Sequence, residues 1–182
     1  LSPEEIVRLI DFSYLEEEIT AATATELLRA NQRSRSEREG VLQTGYPGYD
    51  TSVGWFQYSD EQIRDNAKAA VDAGFTAMKL KVGAKDQSHD VRRAFMVREA
   101  VGSDVRIMLD ANQAWSLPQA IDTCLSLKEM EPYWIEEPTQ PDDVSAHKTL
   151  ADIIAPVPVA IGEAVSNRVL WKNFMQARAV GI

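Results

Sequence analysis

Three carboxylates follow three short apolar runs at nearly constant spacing, and this spacing constrains the fold more than any other feature. The runs are Val105–Asp110 (VRIMLD), Trp134–Glu137 (WIEE) and Val159–Glu163 (VAIGE), and Asp110, Glu136 and Glu163 stand 26 and 27 positions apart. One strand, one helix and two short loops use an interval of that length. The spacing therefore predicts successive βα units of a parallel sheet with the three acids at one rim.

Strand-like and helix-like segments alternate from Val53 onward through five units. The predicted strands are Val53–Tyr58, Ala77–Val82, Val105–Asp110, Tyr133–Glu136 and Val159–Gly162, and the predicted helices are Glu61–Ala73, Asp90–Val101, Leu117–Met130, Val144–Ile154 and Val169–Ala179. An open doubly wound sheet and a TIM barrel both fit this α/β order. Three consecutive strand ends that meet at one centre favour the barrel, and no GxGxxG follows the first strand. We predict a partial TIM-type (β/α) barrel over residues 45–182, with strands 1–5 and the start of strand 6.

The first 44 residues have a different character. Ser2-Pro3-Glu4-Glu5 predicts a helix start, and a second helix is predicted from Thr20 to about Leu42. The segment Thr44–Ser52 is rich in turn-forming residues and is interpreted as a connector. Because the chain starts at Leu1 and stops at Ile182 within another strand-like run, we interpret it as a central piece of a longer polypeptide.

Composition and charge exclude several classes of partner. The chain is 45% apolar, which is typical of a globular protein, and its formal net charge of −9 argues against nucleic acid or an anionic membrane. Cys124 is the only cysteine, and its apolar helical setting predicts a buried core residue. His89 and His147 are predicted to be exposed on helices. With no signal peptide and no apolar stretch near the roughly 20 residues of a membrane helix, the sequence predicts a cytoplasmic protein.

Several polar residues near the predicted rim have side chains suited to chemistry. Three acids in one place need a cation, and oxygen ligands without His or Cys favour Mg²⁺. Lys79 and Lys81 share one face of a strand, where burial and a metal would lower an ammonium pKa and provide a general base. The alternative is an edge strand protected by exposed lysines. Asn112 shares a face with Asp110 if the strand stays extended, and the alternative is an Asx turn.

Two positions stay open at this point. The alternation of a strand sends one of Glu136 and Glu137 inward, but the sequence does not decide which. Asn167 and Arg168 follow the last acid and could hold a substrate or cap the next helix, and capping is the favoured interpretation.

Four motifs, in this order and spacing, resemble the enolase superfamily, and more narrowly its mandelate racemase branch. They are KLK at Lys79–Lys81, LDANQ at Leu109–Gln113, WIEEPTQPDD at Trp134–Asp143 and GE…NR at Gly162–Arg168. The third is most similar to L-fuconate dehydratase and related acid-sugar dehydratases. The resemblance implies that Asp110, Glu136 and Glu163 bind Mg²⁺. It also implies that Lys81 is the base with Lys79 beside it, and that Asn112, Lys81 and Glu163 contact the substrate.

The resemblance also implies an activity. A lyase of this kind removes the α-proton of a sugar acid such as L-fuconate, passes through an enediolate and expels the β-hydroxyl group. A racemase or epimerase of the same branch and a truncated non-catalytic homologue are the alternatives. The usual general acid, on the seventh strand, lies outside this chain, so residues 1–182 alone are predicted to be inactive.

The resemblance bears on organisation as well. Residues 1–44 would be the helical tail of a capping domain, and the complete protein is predicted to be a homo-oligomer. Open edges at Val53–Tyr58 and Val159–Gly162 predict that the isolated piece self-associates or pairs with a complementary fragment.

Overall fold

The structure is a computed structural model that describes all 182 residues, Leu1–Ile182. The helices are Pro3–Val7 (α1), Ala21–Gln32 (α2), Arg35–Thr44 (α3), Asp60–Asp72 (α4), Gln87–Val101 (α5), Leu117–Leu127 (α6), Val144–Ile154 (α7) and Arg168–Ala177 (α8). The strands are Asp50–Gly54 (β1), Ala77–Lys81 (β2), Arg106–Asp110 (β3), Trp134–Glu136 (β4) and Val159–Ala160 (β5). The chain divides into two compact units, one of residues 1–47 and 167–172 and the other of residues 48–166 and 173–182.

The first unit is helical. Its first helix starts as predicted, because Ser2 and Glu5 form a reciprocal capping box. The single helix predicted from Thr20 to Leu42 is wrong, since the chain leaves the helical conformation at Ser34 and forms α2 and α3 separately. Arg38 Nη1 donates to the carbonyl oxygen of Asn31 at 2.7 Å and so satisfies an acceptor at this break. Two ion pairs between residues far apart in sequence close the unit, Arg168 with Asp11 and Lys172 with Glu17.

The second unit is a parallel sheet whose strands lie in chain order, β1-β2-β3-β4-β5. Helices connect successive strands, so the predicted βα architecture is confirmed. Alternate residues of the strands pack into a core with the helices, and Leu80, Leu109 and Ile135 are its central members. Each such side chain contributes about 1.5–3 kcal/mol on burial. Because strand residues alternate between faces, the residues between these members are directed to the opposite face.

Strand boundaries differ from the prediction at both ends of the sheet. The first strand lies earlier than Val53–Tyr58, and the chain turns after Gly54, where Tyr58 N donates to Trp55 O at 3.1 Å. The apolar residues of Val53–Tyr58 led to the wrong strand position, because Trp55 is apolar but lies outside the strand and is exposed to solvent. At the other end, Gly181 N donates to Val159 O at 2.9 Å. The prediction of an open edge at Val159–Gly162 is therefore wrong, because the last residues of the chain pair with β5.

None of the eight helices combines the length and the apolar character that crossing a lipid bilayer requires.

Candidate active site

Four charged residues of β2, β3 and β4 stand on the sheet face opposite the helical core. The strand register places Lys81 beside Asp110 and Asp110 beside Glu136. Lys79 precedes Lys81 by two positions and therefore shares its face. The sequence prediction that the two lysines and two of the acids meet at one rim agrees with this arrangement.

Short hydrogen bonds between charged groups connect the residues at this rim of the sheet. Lys79 Nζ donates to Glu136 Oε1 at 2.8 Å and lies 3.0 Å from Asp110 Oδ2. Lys81 Nζ donates to Asp110 Oδ2 at 2.6 Å and to Asn112 Oδ1 at 2.6 Å. The Asp110 side chain is fully buried, and the Lys79 and Lys81 side chains are only 11% and 16% exposed. A buried carboxylate needs such partners, because an unpaired charge in the interior is strongly destabilising.

The pKa of Lys79 moves in the direction opposite to the sequence prediction. Burial lowers the pKa of this ammonium, but the hydrogen bonds and negative charges of Glu136 and Asp110 outweigh burial and raise it. The sequence prediction combined burial with a bound metal, and for Lys79 the two acids outweigh the contribution of burial. The Lys79 ammonium lies between two carboxylates, those of Asp110 and Glu136.

Three aromatic residues surround the charged rim, and the sequence interpretation missed all of them. The ring of Tyr49 lies 5.9 Å from Lys79 Nζ, and the ring of Trp55 lies 5.5 Å from Lys81 Nζ. Trp134 Nε1 donates to Glu136 Oε2 at 3.0 Å, which fixes the second oxygen of that carboxylate. Trp134 could have been found, because it precedes Glu136 by two positions in a strand and must share its face. Tyr49 lies in the predicted connector and Trp55 in the misplaced first strand, so strand periodicity pointed neither of them to the rim.

Asn112 reaches the rim by a route other than an extended strand. Strand β3 ends at Asp110, and Asn112 and Gln113 adopt left-handed backbone conformations with φ of 43° and 65°. Asn112 N donates to Asp110 Oδ1 at 3.1 Å, which forms the Asx turn considered as the alternative. Its side-chain oxygen nevertheless accepts from Lys81. The two interpretations are compatible, because the turn itself carries the amide to the rim.

The structure distinguishes the two adjacent glutamates. Glu136 faces Lys79, whereas Glu137 is 3% exposed and has a left-handed backbone with φ of 42°. The Glu137 carboxylate accepts hydrogen bonds from Gln113 and Ala164. Glu137 therefore contacts the loops behind the rim and was not singled out by the sequence interpretation.

Glu163 is placed differently from the other two predicted ligands. It is exposed and follows Gly162 in the turn after β5. No three His, Cys, Asp or Glu side chains lie close enough together to hold one ion. Two of the three acids do converge, since the same Lys79 ammonium contacts both Asp110 and Glu136. With Asn112 this donor set is entirely oxygen, which suits Mg²⁺, and the three-acid ligand set stays a prediction.

Residues away from the rim resolve the remaining predictions. His147 is fully buried, with Nδ1 2.8 Å from Asp143 O and its ring edge-on to Phe174 at 5.1 Å, so the prediction of an exposed histidine is wrong. Burial lowers the pKa of His147. Cys124 is buried as predicted, and burial raises the pKa of its thiol to about 12. Asn167 Oδ1 accepts from Leu170 N at 2.9 Å, which confirms its capping role.

Comparison with known proteins decides the family. The family described as Enolase C-terminal domain-like matches residues 62–182. This chain belongs to the enolase superfamily. The resemblance that the KLK, LDANQ and WIEEPTQPDD motifs carry, including the mandelate racemase branch, is confirmed.

Two curated relatives match the whole of this enolase-superfamily chain. Mitochondrial enolase superfamily member 1 of Xenopus laevis is 42% identical over 99% of the chain, and L-galactonate dehydratase of Hypocrea jecorina is 38% identical over all of it. The chain spans 41% and 42% of the lengths of these two relatives.

Solved structures give the same family. Human mitochondrial enolase superfamily member 1 is 39% identical with a TM-score of 0.93, covering 99% of this chain and 41% of that one. L-Talarate dehydratase from Polaromonas sp. JS666, solved with Mg and L-glucarate, is 34% identical with a TM-score of 0.69. It covers 72% of this chain and 37% of its own.

Proposed function

We propose that this chain is the part of a Mg²⁺-dependent acid-sugar dehydratase that carries the metal-binding rim and the base. One observation carries the proposal: a single ammonium, that of Lys79, contacts carboxylates from two adjacent strands at 2.8 and 3.0 Å. Two acids that share one cation at the carboxyl ends of parallel strands are suited to a metal-assisted reaction. The relatives named for L-galactonate and the talarate dehydratase solved with Mg and L-glucarate support this class.

The metal would be held by Asp110 and Glu136, with Glu163 as the third ligand and Asn112 beside it. Mg²⁺, when bound, supplies positive charge that makes the α-proton of a carboxylate substrate more acidic. Lys79 keeps the two acids oriented toward one centre and contributes a fixed positive charge. Asp110 is fully buried at this centre, and the rings of Tyr49 and Trp55 lie 5.9 and 5.5 Å from the Lys79 and Lys81 ammonium groups.

Lys81 is the proposed base. Its Nζ lies at the rim between Asp110 and Asn112, where a neutral amine could accept the α-proton of a substrate. Loss of the β-hydroxyl group as water then gives an enol that becomes a 2-keto-3-deoxy acid. The proton for the departing hydroxyl must come from a group outside residues 1–182, as the family resemblance implies. Residues 1–182 alone are accordingly expected to be inactive.

The substrate is proposed as a sugar acid, with its identity left to a panel. The WIEEPTQPDD motif predicts L-fuconate, whereas two dehydratases among the relatives are named for L-galactonate and for L-talarate or galactarate. The panel therefore includes L-fuconate, L-galactonate and galactarate.

The test follows the α-proton in the full-length protein. In D₂O with Mg²⁺, the wild type should exchange the α-proton of a panel substrate and form a 2-keto-3-deoxy acid, both followed by NMR. Lys81→Met should abolish the exchange and leave Mg²⁺ affinity near that of the wild type, because Lys81 is assigned to chemistry and not to metal binding. Lys85→Met, at an exposed position four residues later, is the matched control and should change neither.

Two outcomes would contradict the proposal. Undiminished exchange in Lys81→Met would remove this residue as the base. Interconversion of stereoisomers without loss of water would make the protein a racemase or epimerase of the same branch.

Three predictions about the complete protein belong to the same proposal. Helices α1–α3 would be the tail of a capping domain, the protein would be a homo-oligomer, and it would be cytoplasmic. Size-exclusion chromatography with light scattering tests the second. Cell fractionation tests the third, and a mitochondrial location would contradict it.

A further inference from the structure

Glu137 is a buried acid that takes no part in the charged rim. Its side chain is 3% exposed, and it directly follows Glu136. A buried carboxylate persists only where donors satisfy both of its oxygens. The donors that Glu137 uses are therefore informative about what the residue does.

Each carboxylate oxygen of Glu137 accepts from a different loop. Oε2 accepts from Gln113 Nε2 at 3.0 Å, in the loop after β3, and Oε1 accepts from Ala164 N at 3.0 Å, in the loop after β5. The main chain of the same residue adds two more bonds. Glu137 O accepts from Gln113 N at 2.7 Å, and Glu137 N donates to Ala160 O at 2.9 Å. One residue thus joins the carboxyl ends of three consecutive strands.

The two loop partners are neighbours of residues assigned to the rim. Gln113 follows Asn112, which accepts from Lys81, and Ala164 follows Glu163, the predicted third ligand. Asn112, Gln113 and Glu137 all have left-handed backbones, a conformation that residues with side chains keep only where their surroundings impose it. The Glu137 carboxylate is the group that joins Gln113 to Ala164.

We propose that Glu137 is a positioning residue that sets Asn112 and Glu163 relative to the Asp110–Glu136 pair. This inference rests on the proposed function, because it assigns those residues to a Mg²⁺ and sugar-acid site. Glu137 acts through its two loop partners and contacts neither the metal nor the substrate. Substitution should therefore weaken metal binding while the rim side chains themselves remain unchanged.

Three variants of the full-length protein separate hydrogen bonding from charge. Glu137→Leu removes both acceptors. Glu137→Gln keeps an oxygen for Ala164 N and places an NH₂ group opposite Gln113, whose amide can flip to present its own oxygen. The double variant Glu137→Gln with Gln113→Glu needs no flip, because the new carboxylate at position 113 accepts from the new amide at position 137. Folding of each variant is checked by circular dichroism and urea unfolding.

Isothermal titration with MgCl₂ is the first readout. Glu137→Leu should bind Mg²⁺ about 10- to 100-fold more weakly, which is the usual loss when a residue that orients metal ligands is removed. Glu137→Gln and the double variant should bind as the wild type does. Equal affinity of a folded Glu137→Leu and the wild type would overturn the inference. Equal loss in all three variants would also overturn it, since restoring the hydrogen bonds between positions 113, 137 and 164 would then not restore Mg²⁺ binding.

Amide hydrogen exchange without metal is the second readout, and it separates the two proposals. Glu137→Leu should lose protection at the amide of Ala164, which donates to the Glu137 carboxylate, while the amide of Leu109 in β3 keeps its protection. If the wild type binds no Mg²⁺, the proposed metal centre fails, and the exchange data still decide whether Glu137 fixes the loops. Unchanged protection at Ala164 in a folded Glu137→Leu would refute the positioning role by itself.

Discussion

Gly83 and Gly74 form a matched pair for testing how closely the loop after β2 approaches the loop after β3. Both have backbones that L side chains rarely adopt, with φ of 108° and 93°. A Cβ at Gly83 would lie 2.8 Å from Ala111 O and 2.8 Å from Ala114 Cβ, whereas a Cβ at Gly74 would meet nothing within 4 Å. Alanine at each position therefore carries the same conformational cost, and only Gly83→Ala adds a collision with backbone.

The magnitudes follow from these two contributions. The left-handed conformation costs an alanine about 1–2 kcal/mol, and the reduced entropy of the unfolded chain returns about 0.4–1 kcal/mol. Gly74→Ala should therefore lower the free energy of unfolding by roughly 1 kcal/mol. Overpacking against a backbone atom adds about 1–3 kcal/mol, so Gly83→Ala should lose roughly 2–4 kcal/mol.

Urea unfolding of the two variants and the wild type measures the difference directly. For a chain of this size each kcal/mol corresponds to about 2–4 °C in Tm, so a thermal scan gives a second estimate. Gly83→Ala should also weaken Mg²⁺ binding, because the added Cβ would displace Ala111, which directly follows the predicted ligand Asp110. Gly74→Ala should leave Mg²⁺ binding unchanged. Losses of stability that agree within about 0.5 kcal/mol would refute the close approach of the two loops.

Three further perturbations test other parts of the structure. Burial holds the pKa of His147 below its ordinary value of 6.5, although the charges of Asp143 and Glu137 act in the opposite direction. As the pH falls, residue 147 therefore takes up its proton at a higher pH in the unfolded chain than in the folded chain. Stability should thus decline below pH 6.5 down to the folded pKa, and His147→Phe should flatten this decline in urea titrations. Asp90 Oδ2 accepts hydrogen bonds from the amides of Gly83 and Ala84 at 2.7 and 2.8 Å. Asp90→Leu should lower the free energy of unfolding by about 1–3 kcal/mol for each amide left unpaired. Asp90→Asn retains an acceptor and should unfold at nearly the wild-type urea concentration. Leu80→Ala in the core should cost about 2–5 kcal/mol by the same measurement, and Leu125→Ala, at a position 47% exposed, should cost less than about 1 kcal/mol; similar losses would contradict the assigned core.

Much of the sheet could be predicted because its determinants are local and periodic. Strand residues alternate, so Lys79 and Lys81 had to share a face, and parallel strands in sequence order had to bring Asp110 next to Glu136. The same logic could have identified Trp134. The first strand was misplaced because Trp55 has the apolar character of a strand residue but lies in a turn, and no local pattern distinguishes the two.

The residues that the sequence did not reveal depend on contacts between segments. His147 is buried by Phe174, which lies 27 positions later, so its exposure could not be inferred from its own helix. The role of Glu137 requires the loops after β3 and β5 to meet, and the break between α2 and α3 rests on Ser34 leaving the helix without any Pro or Gly there. Asn112 was placed at the rim for the wrong reason, since an Asx turn rather than an extended strand carries it there.

The first compact unit has a consequence for biosynthesis. It consists of residues 1–47 and 167–172, and the ion pairs of Asp11 with Arg168 and Glu17 with Lys172 join its two parts. A ribosome must add roughly 120 residues between them, which takes about 6–24 s at ordinary rates of synthesis. During that interval the acidic side chains of Asp11 and Glu17 lack these basic partners. The helices α1–α3 are therefore made before the five strands but gain these ion pairs only after them, so on a translating ribosome they should gain protease resistance only once residues 167–172 have emerged.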